Sequence, residues 1–163
     1  MGLDMYLYAK KYTSKYNDEE LNKTLWNLFP KIKPVDNINT AEVKLEVGYW
    51  RKANAIHKWF VDNVQEGTDD CGHYGVSVEQ LKKLREDIKE ILTDKVRIAR
   101  RLNEEIVPEK AEEVLPTQSG FFFGGTDYDE YYWDNMKNTL KLLNKLIDDE
   151  AYKEFEFEYH SSW

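Results

Sequence analysis

The chain has 163 residues, enough for one domain with its own hydrophobic core and too few for two comfortable ones. Its 31 acidic and 23 basic side chains give a formal net charge of -8, which disfavours bulk nucleic acid and anionic membrane as partners. The single cysteine, Cys71, excludes an internal disulfide and a thiolate zinc cluster, so a reducing, cytoplasmic setting is expected.

The N-terminal stretch MGLDMYLYAKKYTSKY has no apolar run of signal-peptide or membrane-span length, so the mature chain is expected to begin here. Its apolar Leu3, Met5, Leu7 and Ala9 alternate with Asp4, Tyr6, Tyr8 and Lys10, the period of a half-buried strand. The C-terminal KEFEFEYHSSW repeats the pattern, with Phe155, Phe157 and Tyr159 on one side and Glu154, Glu156, Glu158 and His160 on the other. Opposite charges stabilise a ladder, so the two strands are expected to pair in one small sheet with Lys10 and Lys11 facing the glutamates.

Between the ends the period turns helical. NDEELNKTLWNLF reads as a short helix capped by Asn17, with Leu21, Leu25 and Leu28 on one face and a stop at Pro30. KIKPVDNINT is a connection, and a long helix is predicted from about Val43 to Val64 on the stripe Tyr49, Ala53, Ile56, Phe60 and Val64. EGTDDCGHYGVS is a glycine-rich loop that ends in a capping box, Ser77 with Gln80. That box opens a helix striped by Val78, Leu81, Leu84, Ile88, Ile91 and Leu92. VRIARRLNEEIV continues or restarts it, with Ile98, Leu102 and Ile106 at helical spacing before Pro108. In LPTQSGFFFGGTDYDEYYW the three phenylalanines read as a short buried strand or a plug, and Asp127 with Glu130 as a second capping box. The helix that follows runs through Tyr132, Met136, Leu140, Leu143 and Ile147. The expected fold is a single α+β domain, a small antiparallel sheet of N- and C-terminal strands packed against about four helices.

The stretch GYWRKANAIHKWF carries the densest polar and aromatic chemistry. On a helix, Tyr49, Ile56 and Phe60 belong to the core stripe, while Arg51, Asn54, His57 and Lys58 lie on an adjoining face. Such a face is either a solvated flank or the wall of a pocket, with Trp50 beside it. As a pocket wall it suits a small anionic molecule: arginine offers a planar fork, asparagine donates and accepts, and histidine titrates near neutral pH. Tyr128, Tyr131 and Trp133, next to a turn, offer flat faces on which a base-like ring can stack. Asp69, Asp70, Cys71 and His73 match no zinc or calcium spacing, so neither metal nor cofactor is expected. Cys71 reads as a buried, inert thiol.

The blocks MGLDMYLYAKKY, EVGYWRKANAIHKWFV, NVQEGTDDCGHY, LPTQSGFFFGGTDYDEYYWDN and FEFEYHSSW resemble a family of small bacteriophage and prophage proteins, over nearly the whole chain. The resemblance carries no catalytic residues over. It implies a viral accessory role in the host bacterial cytoplasm, where such proteins often oppose host defence, some by sequestering nucleotide-derived immune signals. Three functions follow. The first is a binding protein for a small nucleotide-like signal, held by Tyr49, Trp50, Arg51, Asn54, His57 and Lys58 and by Tyr128, Tyr131 and Trp133. The second is a hydrolase of a similar ligand, with His57 or His73 as general base oriented by Asp70. The third is an inhibitor that docks on a host defence protein through its acidic surface. A homodimer is the expected assembly, without a motif to support it.

Overall fold

The computed structural model describes residues 2–33, 39–102 and 109–163. In chain order its elements are β1 (Asp4–Ser14), α1 (Glu19–Asn27), β2 (Thr40–Arg51), α2 (Asn54–Asn63), β3 (His73–Val76), α3 (Val78–Leu102), α4 (Glu109–Val114) and α5 (Glu130–Asp148). A 3-10 turn (Glu150–Tyr152) then leads into β4 (Glu156–Ser162). The four strands form one antiparallel sheet in the order β2-β1-β4-β3, so the two ends of the chain lie side by side at its centre.

Alternation in β1 does what its sequence demands. Leu3, Met5, Leu7 and Ala9 are fully buried against the helices, joined by Trp50 of β2, Val76 of β3 and Phe157, Tyr159 and Ser161 of β4. Asp4, Tyr6, Tyr8 and Lys10 point the other way and stay half-buried. The β1–β4 pairing runs from Asp4 opposite Ser162 to Lys10 opposite Glu156. Lys10 reaches diagonally to Glu158 at 2.9 Å, and Lys11 reaches Glu154 at 2.5 Å. Against this sheet α2, α3 and α5 bring Ile56, Phe60, Leu84, Ile88, Met136 and Leu143, all buried.

The long helix expected over Val43 to Val64 is instead a strand, a sharp turn and a shorter helix. Residues 42–47 read EVKLEV, a period of two rich in β-branched side chains, and they pair with β1 through a bulge between Glu46 and Gly48. Lys52 then takes φ 55°, a left-handed conformation through which no α-helix continues. The stripe of Ala53, Ile56 and Phe60 is buried as its spacing requires, but Tyr49 lies before the turn, half-exposed on a strand. β3, hidden in the glycine-rich loop, was not legible as a strand; only Val76 of its four residues is buried.

The caps show how finely such signals resolve. Ser77 and Gln80 form the expected box, each side chain accepting the other's backbone N–H, at 2.8 and 3.1 Å. At α5 the cap is Asp129, whose carboxylate accepts from Tyr132 N at 3.0 Å, and not Asp127. At α1 it is Asp18, one residue beyond Asn17. Asn17 is occupied instead by the Ser14 hydroxyl, which donates to it at 2.6 Å. Leu28 is exposed, and α1 is anchored by the buried Asn22, whose amide donates to Thr13 Oγ1 at 3.1 Å and Asn39 O at 3.3 Å. Of the three phenylalanines Phe121 is fully exposed and Phe123 buried, so the segment is a turn carrying one plug rather than a strand. α3 continues through Leu102; Ile106, Pro108 and much of the 31–40 connection lie outside the described residues. No helix among the described residues is long and apolar enough to cross a membrane.

Trp50 ties β2 to α5: its indole N–H donates to Thr139 Oγ1 at 2.8 Å in the core. Thr139→Val strands that N–H, at an expected cost of about 1–2 kcal/mol in urea unfolding. Combining it with Trp50→Phe is expected to cost less than the two singles added together, the signature of a direct bond in a double-mutant cycle.

Candidate functional site on the open face of the sheet

The turn at Lys52 separates the residues that the sequence grouped. Trp50 faces the core, and Tyr49 and Arg51 face the opposite side of the sheet. Asn54 is buried at the start of α2, where its amide donates to Phe123 O and Gly125 O at 3.1 and 2.7 Å and its carbonyl accepts from Gln118 N at 3.3 Å. It holds the FFFGG turn and is not free for a ligand. Lys58 is on the surface, paired with Asp62 at 2.8 Å.

His57 is fully buried. Its Nδ1 lies 2.8 Å from the Tyr159 hydroxyl and its Nε2 3.1 Å from Asp69, which also accepts the Trp163 indole N–H at 3.0 Å. Burial lowers the imidazole's proton affinity more than Asp69 raises it, and burial also keeps the Tyr159 phenol protonated. The neutral ring thus accepts from Tyr159 and donates to Asp69. The network satisfies buried groups, and Cys71 near it, expected to be buried, is only partly so. Asp70 binds Gly72 N and the Tyr74 hydroxyl, at 2.8 and 2.9 Å, so it orients neither His57 nor His73.

Tyr128, Tyr131 and Trp133 serve the packing around α5. The Tyr128 hydroxyl accepts from Thr117 N at 3.3 Å, and the Trp133 indole, buried, donates to Tyr128 O at 2.9 Å. Tyr131 is exposed, and its hydroxyl donates to Arg51 O. A cavity of about 50 Å³ lies beside Tyr131, Asn54 and Asp129, far below the volume that a nucleotide needs.

What the fold does bring together lies on the sheet face that the helices leave open. Antiparallel register sets Tyr6 between Tyr49 and His160, and His160 opposite His73. The rings form a row across all four strands. His73 and His160 stack at 4.1 Å and 2°, Tyr6 follows His160 at 5.9 Å and 19°, and Tyr49 tilts against Tyr6 at 5.4 Å. Tyr8 stacks beside Tyr6 at 6.1 Å. Arg51 stands at one end of the row, 3.5 Å from Asp4, whose carboxylate also accepts the Tyr49 hydroxyl at 2.5 Å.

Glu158 organises the other side. It accepts from Lys10, Lys44 and His73 at 2.9, 2.7 and 2.8 Å, while Lys44 also sits 4.0 Å over the Tyr8 ring. Partial burial pushes the Glu158 carboxyl up, but those three donors outweigh it and hold the value down at about 2. His160 Nδ1 donates to Gly72 O at 3.2 Å, which fixes the second histidine of the stack.

Tyr6, Tyr8, His160 and Glu158 were absent from the residues that the sequence singled out, although the alternation of both terminal strands already set them on one outward face. No family model, no curated protein and no solved structure matches the chain.

Two outcomes test this account. Glu158 has its carboxyl lowered in the fold, so its contribution is present above the ordinary value of 4.5 and is lost as pH falls from there towards about 2. Glu158→Gln is expected to cost about 2 kcal/mol at neutral pH, a gap to the unsubstituted protein that closes across that window in urea titrations. His57→Ala leaves Asp69 and Tyr159 without their buried partner and is expected to cost about 2–4 kcal/mol of stability by the same measurement.

Proposed function

We propose that the protein binds a small nucleotide-like molecule by stacking its flat ring on the open-face row, with Arg51 meeting the anionic group, and that it sequesters the molecule rather than converting it. The observation that carries this reading is the continuous run of rings from Tyr49 through Tyr6 and His160 to His73. The inner rings of the row are turned face to face, so a heteroaromatic ring stacks at its open end, against the half-exposed Tyr49 beside Arg51, tolerant of ring identity because every base has a π-face. Arg51 adds a guanidinium more than half exposed at the end of the row, able to fork a phosphate. Overall charge favours a small ligand over a polymer: the face also carries Asp4, Glu42, Glu46, Glu156 and Glu158, which repel a chain of phosphates.

Sequestration fits the chemistry better than turnover. Asp70 has other partners, and His57 is sealed in the core. In the phage setting that the resemblance implies, the ligand is a nucleotide-derived immune signal of the host, held out of reach of its receptor.

Calorimetry with nucleoside monophosphates and cyclic dinucleotides tests the reading, beside native mass spectrometry of protein from cells mounting a defence response. Tyr6→Leu and Tyr49→Ala are each expected to weaken binding by about 1–3 kcal/mol through lost stacking. Arg51→Ala is expected to cost about 1.5–3 kcal/mol, with Arg51→Lys restoring only part of it. Unchanged affinity in both Tyr6→Leu and Arg51→Ala overturns the site, and release of a cleaved nucleotide overturns sequestration in favour of a hydrolase.

A further inference from the structure

β2 is an edge of the sheet: β1 covers one of its sides, and among the described residues no strand pairs with the other. It is 12 residues long, and its regularity breaks only near its end, at the bulge between Glu46 and Gly48. A long regular edge presents a row of backbone donors and acceptors, which proteins ordinarily blunt or cover.

Two features of this edge are complementary to themselves. The first is charge: on the open face Glu42, Lys44 and Glu46 alternate in sign. When two copies of β2 pair antiparallel with Val43 facing the partner's Val43, Glu42 faces the partner's Lys44, and the same pair forms again across the two-fold axis. Centring the pairing on Lys44 sets lysine against lysine and Glu42 against the partner's Glu46, so that register repels itself. Centring it on Leu45 matches charges but runs into the bulge.

The second feature is apolar shape. Val43, Leu45 and Ala41 lie on the helix side of β2, opposite Lys11, Ala9 and Thr13 of β1. Leu45 is 46% exposed. Ala41 borders a groove of about 220 Å³ between α1 and β2, lined by Leu25, Trp26, Phe29 and Ile32, with Phe29 and Ile32 themselves exposed. In the register centred on Val43, Leu45 faces the partner's Ala41, at the mouth of that groove. The charge-matched register is therefore also the one that sets the exposed leucine over the apolar hollow, twice by symmetry.

We infer that the protein is a two-fold dimer joined through antiparallel pairing of its β2 edges, from Thr40 to Glu46, with Leu45 of each copy seated in the groove of the other. The product is one eight-stranded sheet with all helices on one side and both aromatic rows on the other. This inference stands apart from the ligand reading, because it holds or fails on assembly alone.

Sedimentation velocity and light scattering of the full chain over a concentration series test it. The unsubstituted protein is expected to be a dimer. Glu42→Lys and Lys44→Glu each place like charges opposite one another twice and are expected to give monomers, and the double exchange Glu42→Lys with Lys44→Glu is expected to restore the dimer. Lys44 also bonds Glu158 and Glu42 lies 3.7 Å from Lys10, so two variants outside every ion pair keep the test decisive. Leu45→Glu is expected to give a folded monomer by circular dichroism. Val43→Cys, in a Cys71→Ser background, is expected to cross-link the dimer under mild oxidation, because the two substituted positions face each other. A monomeric unsubstituted protein, a dimer indifferent to Leu45→Glu, or a double exchange that folds and stays monomeric overturns the inference.

Discussion

The structure depends on β1 being paired along both of its edges. With β2 on one side and β4 on the other, the strand has its backbone groups satisfied laterally, and its period-two sequence then sorts every side chain to one of two environments. Leu3, Met5, Leu7 and Ala9 supply the floor on which the helices pack; Asp4, Tyr6, Tyr8 and Lys10 supply the middle of the open face. A slip of one residue would exchange these two sets, so core and open face are two consequences of one register. The register is pinned from the open side as well, by Glu158 gathering cations from β1 and β2 and a histidine from β3.

The helix side has its own polar anchor points. Asn54 holds the turn that carries Phe123, and Phe123 packs edge-on against His57 at 5.2 Å and against Trp163 at 5.9 Å. Through Asp69 and Tyr159 the same imidazole ties the glycine-rich loop and the last strand to α2. Both ring nitrogens of His57 are engaged in closing the core.

Much of this fold was legible in the sequence where one face of an element is buried. The terminal strands announced themselves because every second residue is apolar, and α3 did so through a complete capping box. β2 was misread because the apolar positions after Gly48 happen to fall at helical intervals across a turn, and nothing in a one-dimensional spacing reveals that Lys52 is left-handed. The grouping of the candidate residues was legible only in part. Tyr49 and Arg51 share the open face, whereas Asn54 and His57 are buried among the helices and Lys58 lies on the surface of α2. The ring row draws on positions 6, 49, 73 and 160, one per strand, and such a set exists only once strand order and register are known.

The central pairing also sets a timetable for folding. Lys10 meets Glu158 across 148 residues of chain, so the strand that anchors the core finds one of its two neighbours only after the helices between them have been synthesised. Contacts of such long range carry a large loop-closure cost and fold slowly. On the ribosome β1 and β2 can pair before β4 is made, and until then β1 keeps one edge bare. During that interval the unpaired edge of β1 is open to mispairing with neighbouring chains.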